Sequence, residues 1–225
     1  MGVMSLFSLE GRKALLTGAS RGLGREMALA MAEAGADTVI VARERTALDR
    51  TAEELRRFGH EVGTIQRDIG RPADAENMAE QALEEFGPFD ILVNNVGNRT
   101  IDVPTEDLSF EDWQRVVDLN LSHTFVCSKV IGRAMMERKR GKIINTASMS
   151  GLIINRGIHG RTYETAKAAV IPAFCLFQTM QISIQRFFIA PGSAINPLQH
   201  FIVRIAAPIG TSQFHQLECL AQLTR

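Results

Sequence analysis

Residues 13–24 read KALLTGASRGLG, and this stretch decides the fold expected for the 225-residue chain. Its first part, Lys13–Thr17, is a short apolar run typical of a buried strand. Three glycines follow between Gly18 and Gly24, and from Leu23 onward apolar residues recur at helical spacing. A glycine-rich turn between a strand and a helix presents backbone N–H groups and the positive end of the helix dipole to a phosphate. The stretch therefore predicts a dinucleotide site, the alternative being a plain glycine-rich turn.

The same alternation of short apolar runs and longer amphipathic stretches continues along the chain. The predicted strands are Lys13–Thr17, Thr38–Val41, Val62–Gln66, Asp90–Val93 and Lys142–Asn145. The predicted helices are Gly22–Ala34, Thr46–Phe58, Pro72–Phe86 and the long region Phe110–Arg138. Continuously apolar strands separated by helices indicate a parallel sheet covered on both faces. Right-handed crossovers then give a doubly wound, Rossmann-type α/β fold.

Composition excludes several classes of protein. The 25 basic and 25 acidic residues balance, which gives no support for nucleic-acid binding. The longest apolar run, Ala168–Phe177, is too short to span a membrane. The three cysteines (Cys127, Cys175 and Cys219) are odd in number and lack metal-ligand spacing, which favours a reducing cytoplasmic location and predicts no metal site. We expect an enzyme or binding domain acting on small molecules.

Three side chains suggest proton transfer. Tyr163 and Lys167 are four residues apart and would share one face of a helix. A lysine ammonium beside a phenol favours the phenolate, so the tyrosine can exchange a proton with a carbonyl or alcohol oxygen while hydride moves on carbon. Ser148 can hold the same oxygen. By themselves Tyr163 and Lys167 could also be a surface pair, and the preceding Ser148 argues against that alternative.

Motifs in this order resemble those of the short-chain dehydrogenase/reductase family, over residues 5–170. The matching segments are Gly18-x3-Gly22-x-Gly24, Asp68-Ile69, Asn94-Asn95-Val96-Gly97 (Val in place of the usual Ala), Asn120, Ser148 and Tyr163-x3-Lys167.

The resemblance assigns roles to these positions. It implies a catalytic set made of Asn120, Ser148, Tyr163 and Lys167. In this set Asn120 holds a water molecule of a proton relay, and Lys167 also binds the nicotinamide ribose. It implies a cofactor set made of Gly18, Ser20, Arg21, Gly22, Leu23, Gly24, Arg43, Asp68, Ile69, Asn95, Gly97, Tyr163 and Lys167, with Asp68 against the adenine. It also implies a homo-oligomer built on the helix 110–138 and the helix that begins near Tyr163.

The end of the second strand predicts the cofactor. NAD sites usually place an acid there for the ribose 2′-hydroxyl, whereas this strand ends Val41-Ala42-Arg43. Arg43 and Arg21 are candidates for a 2′-phosphate, so NADP is expected, with NAD as the alternative. Arg43 could instead be a solvated charge, with Glu44 beside it.

The substrate is less specified. The loop between Ser148 and Tyr163 carries Arg156, His159 and Arg161, which could meet an acidic substrate such as a keto-sugar acid or could simply be solvated. The first part of the chain resembles reductases of sugar acids and of 3-oxoacyl thioesters. The choice between the two stays open.

The composition changes near residue 168. Residues 168–225 contain only four of the 50 charged residues (Arg186, Arg204, Glu218 and Arg225). Pro172 falls inside an expected helix, where it removes a hydrogen bond. A sixth strand is expected within Ile182–Ile189, but only 33 residues follow Gly192, so the final strand is expected to be missing.

We therefore treat residues 1–225 as one domain with an atypical tail, 168–225. A change of reading frame near codon 168 would explain the tail, and a divergent sequence is the alternative. The expected function is hydride transfer between NADP(H) and a carbonyl or secondary alcohol, with a tyrosine as acid and base. The alternative is a protein that binds a nucleotide but is catalytically impaired. Oligomer formation is then also doubtful, because the altered tail changes the helix that begins near Tyr163, one of the two helices on which the oligomer would be built.

Overall fold

A computed structural model describes residues 3–153, 161–173 and 183–187 of the chain. The strands are β1 Lys13–Thr17, β2 Asp37–Ala42, β3 Val62–Gln66, β4 Ile91–Asn94, β5 Lys142–Thr146 and β6 Ser183–Phe187. The helices are α1 Gly22–Glu33, α2 Arg45–Arg56, α3 Pro72–Glu85, α4 Phe110–Val117, α5 His123–Glu137 and α6 Thr162–Ala173. Short 3-10 turns cover Val3–Phe7, Thr105–Asp107 and Met149–Gly151.

All six strands pair in parallel in the order β3-β2-β1-β4-β5-β6. Leu15 of β1 lies in register with Val39 on one side and Leu92 on the other. The strand order reverses beside β1, and in open α/β sheets a ligand binds at that point, outside the carboxyl ends of the strands. The predicted doubly wound fold is confirmed.

Helices cover both faces of the sheet, which explains why its strands are apolar without interruption. Leu16 of β1 packs in a buried cluster with Met31 of α1 and Leu48 of α2. The preceding residue, Leu15, belongs to the opposite cluster, which contains Met78 of α3 and Ile131 of α5. Because neighbouring strand residues point to opposite faces, each core layer receives every second side chain.

The region predicted as one long helix, Phe110–Arg138, is interrupted by a π-helical segment, Asp118–Ser122, between α4 and α5. Asn120 supplies a physical reason, since its side-chain Nδ2 donates to the Val116 carbonyl at 2.9 Å. That carbonyl is the normal α-helical acceptor for the backbone N–H of Asn120. The side chain replaces the backbone donor, and the helix widens locally. Such π-bulges are frequent at functional sites.

Only part of the tail lies within the described residues. Pro172, expected to disrupt a helix, lies inside α6, which is described as far as Ala173. The predicted sixth strand is confirmed as β6, which pairs with β5 from Lys142↔Ser183 to Thr146↔Phe187. Among the described strands, β3 and β6 lie at the two edges of the sheet. The expectation of a missing final strand falls on residues outside the described ranges.

Candidate active site

The glycine turn after β1 approaches its own backbone closely. Gly18 and Gly22 have φ values of +65° and +55°, which glycine adopts without strain. A Cβ added at Gly24 would lie 2.2 Å from the Gly18 carbonyl oxygen, so a side chain is excluded there. Arg21 precedes α1 but makes no side-chain capping hydrogen bond to it. The first turn of α1 is thus a ready anion-binding site.

Asn95, at the end of β4, fixes this turn. Its Nδ2 lies 3.3 Å from the Thr17 carbonyl and 3.2 Å from the Gly18 carbonyl, and it donates to both. The Thr17 hydroxyl donates to the Val93 carbonyl and accepts from the Asn95 N–H at 3.0 Å. Sequence reasoning missed Thr17, although a buried hydroxyl at the last position of a strand, next to the glycines, was a usable signal.

Lys167 is buried against β5. Its Nζ donates to the Thr146 carbonyl at 2.9 Å, and burial lowers its pKa from 10.5 to about 8. Ser148 lies two residues after β5, and its Oγ accepts from the Ser150 N–H at 3.2 Å. Tyr163 lies on α6, one turn before Lys167. The helical spacing predicted for Tyr163 and Lys167 is therefore present, next to the end of β5.

Asn120 lies behind these residues. Its Oδ1 accepts from the Asn98 N–H at 3.0 Å and its Nδ2 donates to the Asn98 carbonyl at 2.9 Å. Gly97 is in close contact with two of the predicted residues, because a Cβ there would lie 2.6 Å from Lys167 Nζ and 2.9 Å from Asn120 Oδ1. The requirement for glycine at position 97 is therefore steric.

His123 is a second buried polar residue near Lys167. Its Nδ1 lies 3.3 Å from the Asp118 carbonyl and its Nε2 lies 3.1 Å from the Thr124 hydroxyl. Burial, and then the charge of Lys167, lower the pKa of His123 from 6.5 to about 4. The imidazole is therefore neutral at neutral pH. Nothing in the residue spacing distinguished this histidine from the others.

The carboxyl ends of the strands enclose one cavity of about 930 Å³. Every residue of the predicted cofactor set lines it, as does Ser148: Gly18, Ser20, Arg21, Gly22, Leu23, Gly24, Arg43, Asp68, Ile69, Asn95, Gly97, Tyr163 and Lys167. Asn120 is fully buried and does not line the cavity. Arg67, which the sequence analysis missed, does.

The β2 end of the cavity carries the predicted cation. The Arg43 side chain is 68% exposed and its Nη1 lies 3.9 Å from Asp68 Oδ2, a separation that leaves it weakly held. Glu44, which also lines the cavity, caps α2 by accepting from the Thr46 and Ala47 N–H groups at 2.8 and 2.7 Å. Asp68 Oδ1 accepts from the Gly70 N–H at 2.9 Å.

The loop expected to line the substrate region is described only in part. Arg161 is exposed, whereas Arg156 and His159 lie outside the described residues. Across 3–153 and the other described ranges, no cluster of His, Cys, Asp or Glu could hold a metal ion. No helix in the part of the chain that the structure describes is long and apolar enough to cross a membrane.

Residues 12–192 match the model of the family described as short chain dehydrogenase. The chain belongs to the short-chain dehydrogenase family. The family resemblance expected from the motifs is confirmed, and the match extends past residue 168 to the Pro191-Gly192 pair.

Curated relatives in this family act on different substrates. The chain is 38% identical over 165 residues to a 3-oxoacyl-[acyl-carrier-protein] reductase from a Synechocystis strain, covering 73% of this chain and 66% of the relative. It is also 38% identical over 170 residues to a galactitol 2-dehydrogenase from Rhizobium johnstonii, covering 76% and 66% respectively. The chain thus spans about two thirds of the length of these two proteins.

Solved structures of short-chain dehydrogenases superpose on the chain. One from Mycobacterium marinum is 37% identical, with a TM-score of 0.75, and the match covers 83% of this chain and 77% of that one. A metagenomic short-chain oxidoreductase in complex with NADP is 26% identical, with a TM-score of 0.76, and covers 89% and 92%.

Proposed function

We propose that this chain transfers a hydride between NADP(H) and a carbonyl or secondary alcohol, with Tyr163 as the acid and base. One observation carries the proposal: Ser148, Tyr163 and Lys167 line the same cavity as the glycine turn Gly18–Gly24. A phosphate-binding turn and a proton-transfer group therefore face one ligand.

The residues present fit a dinucleotide. The steric requirement for glycine at position 24 leaves a backbone surface that a pyrophosphate can approach, next to the start of α1. Asp68 and Ile69 lie at the end of β3, where the adenine would be held. Lys167 and Asn95 lie on the opposite side of the turn, where the ribose and nicotinamide would be held. When bound, the nicotinamide supplies or accepts the hydride.

Protein side chains handle the proton. In reduction the Tyr163 hydroxyl donates its proton to the substrate oxygen, and in oxidation the tyrosinate takes it back. Ser148 donates a hydrogen bond to the same oxygen and stabilises the charge that develops on it. Lys167, with a pKa of about 8, is mostly protonated at neutral pH, and its charge favours the tyrosinate. Asn120, behind the cavity, is proposed to hold a water that relays protons.

A preference for NADP is part of the proposal. Arg43 is exposed at the cavity and only weakly paired, so its guanidinium is free to reorient toward a 2′-phosphate. Glu44, the nearest acid in the sequence, is engaged in capping α2. Glu44 also lines the cavity, but both of its carboxylate oxygens already accept backbone N–H groups of α2, which makes it a weaker candidate for a ribose 2′-hydroxyl than an uncommitted acid. Arg21, which also lines the cavity, is the second candidate.

The substrate class proposed is a keto-sugar or a 3-oxoacyl thioester, by similarity to the galactitol dehydrogenase and the oxoacyl reductase above. A homo-oligomer is proposed as well, since α4 and α5 expose the large apolar side chains of Phe110 and Phe125. A cytoplasmic location is proposed on the cysteine content, and Cys127 is a buried free thiol.

The direct test is Tyr163→Phe. The variant should bind NADPH with nearly unchanged affinity but lose NADPH oxidation with a ketone substrate, because only the hydroxyl is removed. Ser148→Ala serves as the matched variant and should also lose turnover while binding the cofactor. Turnover by Tyr163→Phe at the rate of the unmodified protein would refute the assignment.

The second candidate function is nucleotide binding without turnover, which the tail favours. Alignments with the two curated relatives cover 73% and 76% of this chain, and residues 168–225 hold four charged residues. A protein that binds NADPH but oxidises it with neither substrate class would support this second function.

A further inference from the structure

Arg99 contacts the proposed acid and base from outside the cavity. Its Cζ lies 5.3 Å from the centroid of the Tyr163 ring, within the range of a cation–π contact. Its neighbours Asn98 and Thr100 line the cavity, whereas Arg99 does not. The guanidinium therefore contacts the Tyr163 ring without being part of the described cavity lining.

The position of Arg99 is fixed at two points. Its Nη2 pairs with Glu164 Oε1 at 2.5 Å, and the two side chains are only 22% and 11% exposed, so solvent screens the pair less than a surface pair. The backbone of Asn98, directly before Arg99, is held on both its N–H and its carbonyl by Asn120. The cation is thus anchored by α6 and by the π-helical segment at the same time.

We propose that Arg99 is a positioning residue for Tyr163, fixing the ring and favouring its ionised form. The inference rests on the role of Tyr163 proposed above. A cation over the ring face favours the phenolate, which concentrates negative charge in the ring and its oxygen. Glu164 fixes the cation in place and partly offsets its charge.

Within the described structure, four charged residues contact the Tyr163 ring or lie near it in sequence, on or just before α6. Arg99 approaches from the loop after β4. Glu164 and Lys167 lie on α6 itself, and Arg161 directly precedes that helix and is exposed. Lys167 donates to the Thr146 carbonyl and also favours the tyrosinate, so removing Arg99 should weaken the preference for the ionised form without abolishing it.

The sequence allows a direct readout, because Tyr163 is the only tyrosine in the chain. Tyrosinate absorbance in the near ultraviolet, followed as a function of pH on the full chain without cofactor, reports this residue alone. Arg99→Gln should raise the midpoint of the titration, because it removes the cation that lies over the ring face. Arg99→Lys keeps the charge and should recover most of the shift. Arg133→Gln, which removes an exposed arginine paired with Glu137, is the matched control and should leave the midpoint unchanged.

A second variant keeps the test independent of how well Arg99→Gln folds. Glu164→Gln removes the negative charge next to Tyr163 but keeps a side-chain oxygen that can accept from Arg99 and hold it over the ring, so it should shift the midpoint downward, opposite to Arg99→Gln. If Arg99 and Glu164 had a purely structural role, the two variants would shift the midpoint in the same direction, or would leave it unchanged. Either result would overturn the proposal. If Tyr163→Phe retains turnover while the opposite shifts are observed, the proposed function fails and the positioning of the ring by Arg99 stands.

Discussion

Replacing Lys167 by Met should make the protein more stable near neutral pH, although it removes a residue proposed to be essential. Burial lowers the pKa of Lys167 from 10.5 to about 8, so the folded state carries a disfavoured charge at pH 7. A pKa shift of one unit corresponds to about 1.4 kcal/mol, so the buried charge destabilises the folded state by about 3 kcal/mol. Losing the charge-assisted hydrogen bond to the Thr146 carbonyl offsets about 1.5–3 kcal/mol, which leaves a net gain of roughly 0.5–2 kcal/mol.

The sign of this effect reverses with pH. Between about pH 8 and pH 10.5 the unfolded chain binds the Lys167 proton more strongly than the folded protein, so the stability contributed by this group rises with pH. Above pH 10.5 the penalty is gone in the unmodified protein, and only the lost hydrogen bond distinguishes the two. The variant should then be the less stable protein.

Urea unfolding at pH 7 and at pH 10.5, for the unmodified protein and Lys167→Met, measures both quantities. The difference between the two proteins cancels the titration of groups that do not interact with Lys167, and the pKa of His123, which Lys167 lowers, lies well below both pH values. Lys129→Met, at an exposed lysine of α5, is the control and should show a difference that hardly changes with pH. A Lys167→Met protein that is less stable by the same amount at both pH values would refute the argument that burial of the ammonium destabilises the fold.

Two further predictions concern the cofactor. Gly24→Ala should abolish NADPH binding and destabilise the fold by roughly 1–3 kcal/mol, because the new methyl group would collide with the Gly18 carbonyl. Isothermal titration calorimetry measures the loss of binding, and urea unfolding measures the loss of stability. Gly59→Ala, at a φ of +84° and with no atom within 4 Å, should leave binding intact, its cost being confined to backbone strain. Arg43→Ala should reduce the preference for NADPH over NADH by roughly 1–3 kcal/mol in fluorescence titrations, and an unchanged ratio of affinities would assign discrimination to another residue.

The fold was predictable because its signal is local. Strands such as Lys13–Thr17 are apolar throughout because helices cover both faces of the sheet, and the boundaries of β1 and β3 agree with the prediction to the residue. The π-helical segment at Asn120 was not predictable, because it depends on a side chain replacing a backbone donor at one carbonyl.

The arrangement of the candidate site was predictable where spacing alone places side chains on one helix, as at Tyr163 and Lys167. It was not predictable where the determining contact joins distant segments. Thr17 becomes part of the site only because β4 pairs beside β1 and brings Asn95 to it. Arg99 is one of many arginines in the sequence, and only the approach of α6 to the loop after β4 brings it over Tyr163.

The most direct test of the central claim follows the hydride itself. NADPH deuterated at its transferable position would be incubated with the full chain and a panel of keto-sugars and 3-oxoacyl thioesters, and the alcohol products analysed by mass spectrometry. We predict deuterium on the carbinol carbon of at least one product with the unmodified protein, and none above background with Tyr163→Phe. NADPH bound by both proteins with no deuterated alcohol from either, or equal deuterium transfer by both, would contradict the claim.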